Sequence, residues 1–271
     1  MEALYDKGSA DALTQSEQGE TWREETDRLK VELLLEYAGD AKSLLDIGCA
    51  WGQILLQLVD KIPTLAGVDE SADRLEQLRN NNKGITTYQC RSTALEPADS
   101  SFDAVLTSHI MHELALFGSE DDLTQTLSEI RRVLTDAGRY VTIDHRDPGE
   151  GTVSIRPNKQ TENLKYFADK FVYRPIKIEW DGDVATMSMR DCHDFVTKIW
   201  SLRTGAEDLE MNETHTVMDP EVFGKTLDSA GFKTTVIRPF NPNTRMMDHY
   251  GIDLVKGDDW GRQFIMVAEK A

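Results

Sequence analysis

The fold of this chain is decided by the stretch Leu44-Leu45-Asp46-Ile47-Gly48-Cys49-Ala50-Trp51-Gly52, an apolar run that ends in Asp-x-Gly-x-x-x-Gly. The apolar run predicts a buried strand, and the glycines predict a tight turn into a helix. Glycine at such a turn lets the backbone approach a ligand where a Cβ atom would collide. The carboxylate of Asp46 would repel a pyrophosphate but would favour a ligand that carries an ammonium and a sulfonium group.

A nicotinamide or flavin dinucleotide fold requires G-x-G-x-x-G at this turn. Counting from Gly48, the second and third glycine positions hold Ala50 and Gln53, so two of the three fail. The segment instead resembles motif I of the class I methyltransferases that use S-adenosylmethionine, in which a glycine usually stands at the position of Ala50. The alternative, an ordinary strand-turn-helix with incidental glycines, becomes weaker when a second motif follows at the expected distance.

That second motif is another short apolar run, residues 64–68, which is closed by Asp69 about twenty residues beyond the turn, where such folds place an acid against the ribose. A carboxylate accepts hydrogen bonds from both hydroxyls of a vicinal diol. Asp69 would otherwise cap the next helix, but Ser71 is a suitable cap and leaves Asp69 for the ribose. The cofactor-binding residues predicted from these motifs and from the resemblance are Asp46, Gly48, Cys49, Ala50, Gly52, Asp69, Glu70, Ser92, Thr93 and Ser108.

The chain departs from the family pattern after the third predicted strand. Many members carry an acid there that accepts a hydrogen bond from the adenine amine, but the aligned residue here is Arg91. A guanidinium cannot accept a hydrogen bond. We therefore expect Ser92, Thr93 or backbone groups to contact the adenine.

Strands and helices alternate up to residue 146, which predicts a doubly wound, mostly parallel α/β sheet. The resemblance implies seven strands in the order 3-2-1-4-5-7-6, with an inserted α+β lid between strand five and the last helix. The predicted domains are an N-terminal helical cap at 1–40, a methyltransferase core at 41–146 and 217–271, and a substrate lid at 147–216.

Four local predictions follow from turn residues and periodicity. Asp136-Ala137-Gly138 predicts a turn into strand five, and Asp181-Gly182-Asp183 predicts a hairpin between strands at 172–180 and 184–189. Residues 191–202 predict a helix, with His193 on its surface. Strands at 232–237 and 263–268 are expected to close the sheet.

Candidate catalytic residues are sought after strands four and five, because ligands bind beyond the carboxyl ends of parallel strands. His109 and His145 occupy these places, and histidine suits a general base near neutral pH. The candidate substrate-binding residues are His112, Arg146, His215 and Arg245. His109, His112 and Glu113 are spaced too loosely for a metal site, so no metal is predicted.

Composition narrows the class of partner. A net charge of -18 argues against a nucleic-acid substrate, which demands a basic footprint. No apolar window is long enough to span a membrane, and the first residues do not resemble a signal peptide. The three cysteines show no metal or redox spacing. We expect a cytoplasmic protein with free thiols and a small-molecule substrate, whose oligomeric state the sequence leaves open.

The leading hypothesis is methyl transfer from S-adenosylmethionine to an oxygen or nitrogen of a small molecule. One alternative is a cofactor-binding relative with other chemistry, such as carboxymethyl or aminopropyl transfer. Another is a nucleotide-binding regulatory subunit without turnover.

Overall fold

The computed structural model describes residues 17–271, and for residues 17–24 and 120 it describes the backbone alone. The part of the expected helical cap at residues 1–16 lies outside the described residues. The helices are α1 (Glu17–Ala38), α2 (Gln53–Leu58), α3 (Ala72–Asn81), α4 (Met111–Phe117), α5 (Glu120–Val133), α6 (Thr161–Lys170), α7 (Met189–Lys198), α8 (Glu207–Met211), α9 (Pro220–Ser229) and α10 (Asn243–Tyr250). The strands are β1 (Ser43–Ile47), β2 (Thr64–Val68), β3 (Thr86–Tyr88), β4 (Phe102–Ser108), β5 (Leu134–His145), β6 (Thr152–Arg156), β7 (Glu179–Asp181), β8 (Val184–Ser188), β9 (Phe232–Pro242), β10 (Asp253–Lys256) and β11 (Gly261–Lys270).

The main sheet has seven strands in the order β3-β2-β1-β4-β5-β11-β9. The pairs β2–β3, β1–β2, β1–β4 and β4–β5 are parallel. With β9 as the sixth strand and β11 as the seventh, this order is 3-2-1-4-5-7-6, so the predicted fold class is confirmed. The central strands β1 and β4 are apolar along most of their length because both faces of a doubly wound sheet are covered.

The chain divides into two compact units. The first contains Thr21–Asp144, Pro220–Arg238 and Ile265–Ala271, and the second contains His145–Asp219 and Pro239–Phe264. The sequence placed residues 239–264 in the methyltransferase core, whereas the structure groups them with the second unit. The physical reason is β10, which pairs with β6 and so becomes the edge of a second sheet, in the order β10-β6-β8-β7.

The second unit has its own apolar core around α7. Cys192, Phe195 and Val196 of this helix are fully buried, and they pack with Phe167 of α6 and Trp260 before β11. The helix is amphipathic in sequence, but its polar residues from Asp191 to Lys198 are buried as well. The prediction that His193 lies on the helix surface is therefore wrong, because its exposed fraction is 0%.

Several predicted boundaries also differ from the structure. The turn expected at 136–138 does not separate α5 from β5, since β5 begins at Leu134. The pairing moves from Phe102↔Leu134 to Ala104↔Arg139, so residues 135–138 are accommodated as an irregularity within the strand. The hairpin around Gly182 is confirmed, with φ of +60° at that glycine, but its first strand begins only at Glu179.

An arginine fixes the loop that precedes β4. Arg132 donates to the carbonyl oxygens of Leu95 and Pro97 at 2.8 and 2.9 Å, and it pairs with Asp99 at 2.7 Å. Glu129 holds the same arginine from α5 and accepts the backbone N–H of Leu95 at 2.7 Å. One side-chain pair thus sets the path of residues 95–99 into the central strand.

Candidate functional site

The glycine turn after β1 has the backbone that its sequence predicts. Gly48 and Gly52 have φ of +74° and +79°, in the left-handed region that favours glycine. A Cβ atom on Gly48 would lie 2.2 Å from Cδ1 of Ile110, and one on Gly52 would lie 2.3 Å from Cδ1 of Leu78. Ala50 is also left-handed, with φ of +48°, although it has a Cβ atom.

The backbone amides of this turn donate hydrogen bonds to acceptors within the protein. Val68 accepts hydrogen bonds from the amides of Gly48 and Cys49 at 2.8 and 2.9 Å. The amide of Ala50 donates to Asp69, and that of Gly52 donates to the carbonyl oxygen of Cys49. A phosphate-binding turn needs amides that point at the ligand. Because these four amides have protein acceptors, the turn is unsuited to a pyrophosphate.

Asp46 is a buried carboxyl at the end of β1, with an exposed fraction of 3%. Burial raises its pKa to about 8; the nearby Asp69 adds to the shift and Lys30 opposes it. Within residues 17–271, no hydrogen bond to this side chain is found. A carboxylate here gains more from a cationic ligand than an exposed acid would, because the surrounding dielectric is low.

Asp69 lies at the end of the neighbouring strand β2 and is 8% exposed. One oxygen accepts the amide of Ala50 at 3.0 Å, the other accepts the amide of Ser71 at 2.9 Å, and Arg74 lies 3.8 Å away. Ser71 caps α3 through the amide of Arg74, as predicted. The expectation that this cap leaves Asp69 without other hydrogen bonds is wrong, because Asp69 accepts two backbone amides. An ionised carboxylate offers about four lone-pair sites, so acceptor capacity is left for a diol.

The loop residues predicted to contact the adenine side have local partners. Glu70 is exposed and lies 3.6 Å from Arg91, which also lies 3.9 Å from Asp122. Ser92 shares a hydrogen bond of 2.9 Å with Thr126 of α5. Thr93 and Ser108 are half-buried, and Cys49 is a buried thiol whose pKa is raised by burial.

A buried aspartate organises the segment after β4. Both Met111 and His112 donate their backbone amides to one oxygen of Asp144, at 3.0 and 3.1 Å. The other oxygen lies 2.6 Å from Nδ1 of His112. Asp144 therefore caps the first turn of α4 and orients the His112 ring, so that Nδ1 carries a proton while Asp144 is ionised.

His109 occupies the turn between β4 and α4. Its φ is +58°, its backbone amide donates to Ile143 at 2.8 Å, and its ring meets that of His112 edge-on at 6.4 Å. A left-handed histidine carries a modest conformational cost. The sequence identified His109, but it missed the link between Asp144 and His112, since the two residues are 32 positions apart.

The second predicted base, His145, belongs to the second unit and is 7% exposed. Its ring stacks on that of His215, with centroids 3.9 Å apart, and meets His193 edge-on at 6.0 Å. Two histidines far apart in sequence, His145 and His215, are thus brought together. The third, His193, was missed because its place on α7 suggested a surface residue.

Lys198, Glu210 and Glu213 form a buried charged cluster beside His215. The ammonium group of Lys198 is fully buried and lies 2.9 Å from Glu210 and 3.4 Å from Glu213 and from Nε2 of His215. Burial alone would lower the pKa of Lys198, but the two glutamates outweigh it and raise the pKa. Glu210, Glu213 and His215 are close enough together to hold a metal ion, yet the Lys198 ammonium already pairs with both carboxylates.

Three arginines of the second unit differ in their surroundings. Arg146 is half-buried, and the acid beside it, Asp147, pairs with Arg190 at 2.7 Å. Arg245 is half-buried on α10. Arg262 at the start of β11 is 4% exposed and was not among the residues predicted from the sequence. Its position as a charged residue at the start of an apolar strand could have indicated a buried cation.

In the described part of the chain, no helix combines the length and apolar character that crossing a bilayer requires.

The sequence profile of a methyltransferase domain family matches residues 44–138. The chain is 29% identical over 122 residues to the ubiquinone/menaquinone biosynthesis C-methyltransferase UbiE of Desulfotalea psychrophila. This match takes in 43% of the chain and 47% of that relative, so the chain spans about half the length of the curated relatives it matches.

Two solved structures share the fold. An S-adenosylmethionine-dependent methyltransferase from Mesorhizobium loti has a TM-score of 0.58 at 16% identity, over 89% of this chain and 96% of that one. The 1,6-didemethyltoxoflavin-N1-methyltransferase of Burkholderia thailandensis, solved with 1,6-didemethyltoxoflavin and S-adenosylhomocysteine, has a TM-score of 0.55 at 13% identity, over 93% and 81% of the two chains. The chain therefore has the fold of these methyltransferases, and its residues 44–138 are similar to a methyltransferase domain family.

Proposed function

We propose that this protein transfers a methyl group from S-adenosylmethionine to an oxygen or nitrogen of a small molecule. One observation carries the proposal. Asp46 and Asp69 are buried acids at the ends of two adjacent parallel strands. They lie on either side of a turn whose backbone amides donate to acceptors within the protein. Such a pair favours a ligand with a cationic end and a ribose diol.

The donor set fits this cofactor. Asp46 would bind the ammonium of its methionine part, and Asp69 would accept hydrogen bonds from the ribose hydroxyls. The turn residues Gly48 to Gly52, Glu70, Ser108 and the loop with Ser92 and Thr93 complete the proposed binding residues. When bound, the cofactor supplies a methyl group activated by a sulfonium.

For the transfer, the protein must orient the acceptor atom in line with the methyl group and remove a proton where the acceptor carries one. His109 is the proposed base in the first unit, because it follows β4 in a conformation that local structure imposes. His145 is the proposed base in the second unit, where its stacking partner His215 restricts the ring.

The acceptor is proposed to be a small molecule and not a nucleic acid, since the net charge of -18 opposes phosphate binding. The second unit, with Arg146, His215 and Arg245, is proposed to select it. The Burkholderia enzyme is named for methylation of nitrogen and the Desulfotalea enzyme for methylation of carbon. An acceptor screen should therefore include phenols, amines and carbon nucleophiles.

The test begins with calorimetric titration of S-adenosylhomocysteine into the full chain. Asp69→Ala should weaken binding about tenfold or more, because two hydrogen bonds to the ribose are lost. Asp73→Ala, a matched change at an exposed acid of α3, should leave binding unchanged. Equal affinity of Asp69→Ala and the parent would refute the ribose assignment.

Turnover is then measured as release of S-adenosylhomocysteine from S-adenosylmethionine with the acceptor panel. With an accepted substrate, His109→Ala should lower kcat about 100-fold or more while cofactor affinity stays the same. Binding of cofactor without consumption across the panel would favour the regulatory subunit. Consumption without a methylated product would favour other transfer chemistry.

A further inference from the structure

The second unit contains buried polar atoms that the methyl-transfer proposal does not use. Native proteins leave few such atoms without a hydrogen-bond partner. Within residues 17–271, the residues of this unit that bury atoms of this kind include His193, Glu213, Asn241, Asn243 and Arg262. All five are at least nine-tenths buried.

His193 and Arg262 each bury a hydrogen-bond donor that lacks an acceptor. The indole Nε1 of Trp260 donates to Nδ1 of His193 at 3.1 Å, and an indole can only donate. Nδ1 is therefore an acceptor, and the ring proton lies on Nε2, which has no partner. Nε of Arg262 is likewise a donor without a partner.

The two donors are linked through Trp260, whose indole donates to His193 and which lies two residues before Arg262 in the chain. Burial lowers the pKa of His193 well below its ordinary value, and the charge of Arg262 contributes to this shift, as does His215. The imidazole is therefore neutral, and Arg262 is the charged member of the pair. Asn243 lies at the same place in the fold, because its backbone amide donates to the carbonyl of Trp260 at 2.9 Å.

Arg262 differs from the other buried cations of this unit. Arg174 pairs with Asp191 and Asp194 at 2.8 and 2.6 Å, and Lys198 is held between two glutamates. Among the described residues, no carboxylate lies within ion-pair distance of Arg262. Burial lowers the pKa of its guanidinium to about 10; Tyr250 opposes this shift and Arg245 adds to it.

We propose that Arg262 and His193 form a binding site for a carboxylate of the methyl acceptor. A planar guanidinium matches a carboxylate in shape, and Nε2–H of His193 adds a second donor. One positive charge beside a neutral imidazole balances one negative charge, which favours a monoanion over a phosphate dianion. Trp260, Met247 and Tyr250 belong to the surrounding apolar cluster, so the acceptor is an aromatic or otherwise apolar carboxylic acid.

This inference rests on the proposed function for the identity of the ligand as an acceptor, but its test needs no turnover. Benzoate, benzamide and phenyl phosphate are titrated into the full chain by calorimetry, and their effect on Tm is recorded. Benzoate should bind and raise Tm, while neutral benzamide and dianionic phenyl phosphate should bind at least about tenfold more weakly.

Arg262→Met keeps an unbranched side chain, which is shorter by the guanidinium end, and removes the charge. This variant should lose benzoate binding by about tenfold or more and should have a Tm equal to or above that of the parent, because an unpaired buried charge is removed. Arg156→Met, a change at an exposed arginine of the same unit, should keep benzoate binding.

Two results would overturn the proposal. One is benzoate binding that is absent, or that is the same in Arg262→Met as in the parent. The other is a lower Tm of Arg262→Met without ligand, which would make Arg262 a structural residue. Cofactor binding and methyl transfer are measured separately from benzoate binding. A negative result with benzoate therefore does not refute the proposed function, and a negative result in the methyl-transfer assay does not refute the carboxylate site.

Discussion

The substitution Asp46→Asn tests both the electrostatics of the glycine turn and the role of the acid in cofactor binding. The pKa of Asp46 is about 8 in the folded protein, against an ordinary value of 3.8. Between these values the folded state holds a proton that the unfolded state has released. Raising the pH through this window therefore lowers the free energy of unfolding, and the loss is complete above about pH 8.

The size of the effect follows from the width of the window. Each unit of pKa shift corresponds to about 1.4 kcal/mol, so a shift of about four units gives an upper bound of about 6 kcal/mol. Asparagine has nearly the same shape and does not titrate. The variant should therefore lack this loss, and its stability relative to the parent should increase steadily from about pH 4 to about pH 8.

The assay is urea unfolding of both proteins across this range, with Asp60→Asn as a control at an exposed acid. Other groups titrate in both proteins, so the difference between the two curves isolates Asp46. Parallel curves for Asp46→Asn and the parent would refute the assigned shift.

The same variant tests the ligand contact. If the carboxylate of Asp46 binds an ammonium, then S-adenosylhomocysteine must bind the ionised form, and its affinity for the parent should rise between about pH 6 and about pH 8. Asp46→Asn should bind more weakly and lose this rise. Titration of the ligand's own amine is common to both proteins and cancels in the comparison.

Three further predictions concern single contacts. Ala50→Gly relieves a left-handed alanine and should raise the free energy of unfolding by about 0–1 kcal/mol, measured in urea, because greater freedom of the unfolded chain offsets part of the gain. Arg132→Ala should lower it by about 1–3 kcal/mol, since two loop carbonyls and Glu129 lose their donor; Arg79→Ala, at an exposed arginine of α3, serves as the control. Asp144→Ala should cost about 3 kcal/mol or more, because the cap of α4 and the His112 contact disappear together; a loss below about 1 kcal/mol would contradict this account.

Much of the first unit could be predicted from local patterns. The apolar run that Asp69 closes predicted β2 with the observed bounds, and the apolar run before the glycine turn predicted β1, because central parallel strands must be apolar on both faces. The glycine positions predicted a left-handed turn, and the structure shows it. The commitment of both Asp69 oxygens was not predictable, since it depends on the path of two separate loops.

The second unit was predicted less well because its contacts are long-range. Its hairpin was readable from Asp181-Gly182-Asp183, where turn residues act locally. The pairing of β10 with β6 could not be predicted from local sequence, since these strands are almost one hundred residues apart. His193 was misread for a related reason: charged neighbours usually mark a solvent-facing helix, but here those charges are paired inside the unit.

By itself, the sequence determined the doubly wound sheet and the glycine turn between two acids, because periodicity, glycine positions and acid spacing act over short stretches of chain. The order of the strands followed from the resemblance to the class I methyltransferases. Only the tertiary structure decided which polar groups meet: Asp144 with His112, Lys198 with Glu210 and Glu213, and Arg262 with no acid in the described part of the chain. These pairings depend on burial and on distances between remote segments. Burial also sets their energies, since a charge that costs little in water requires a partner or a ligand inside the protein.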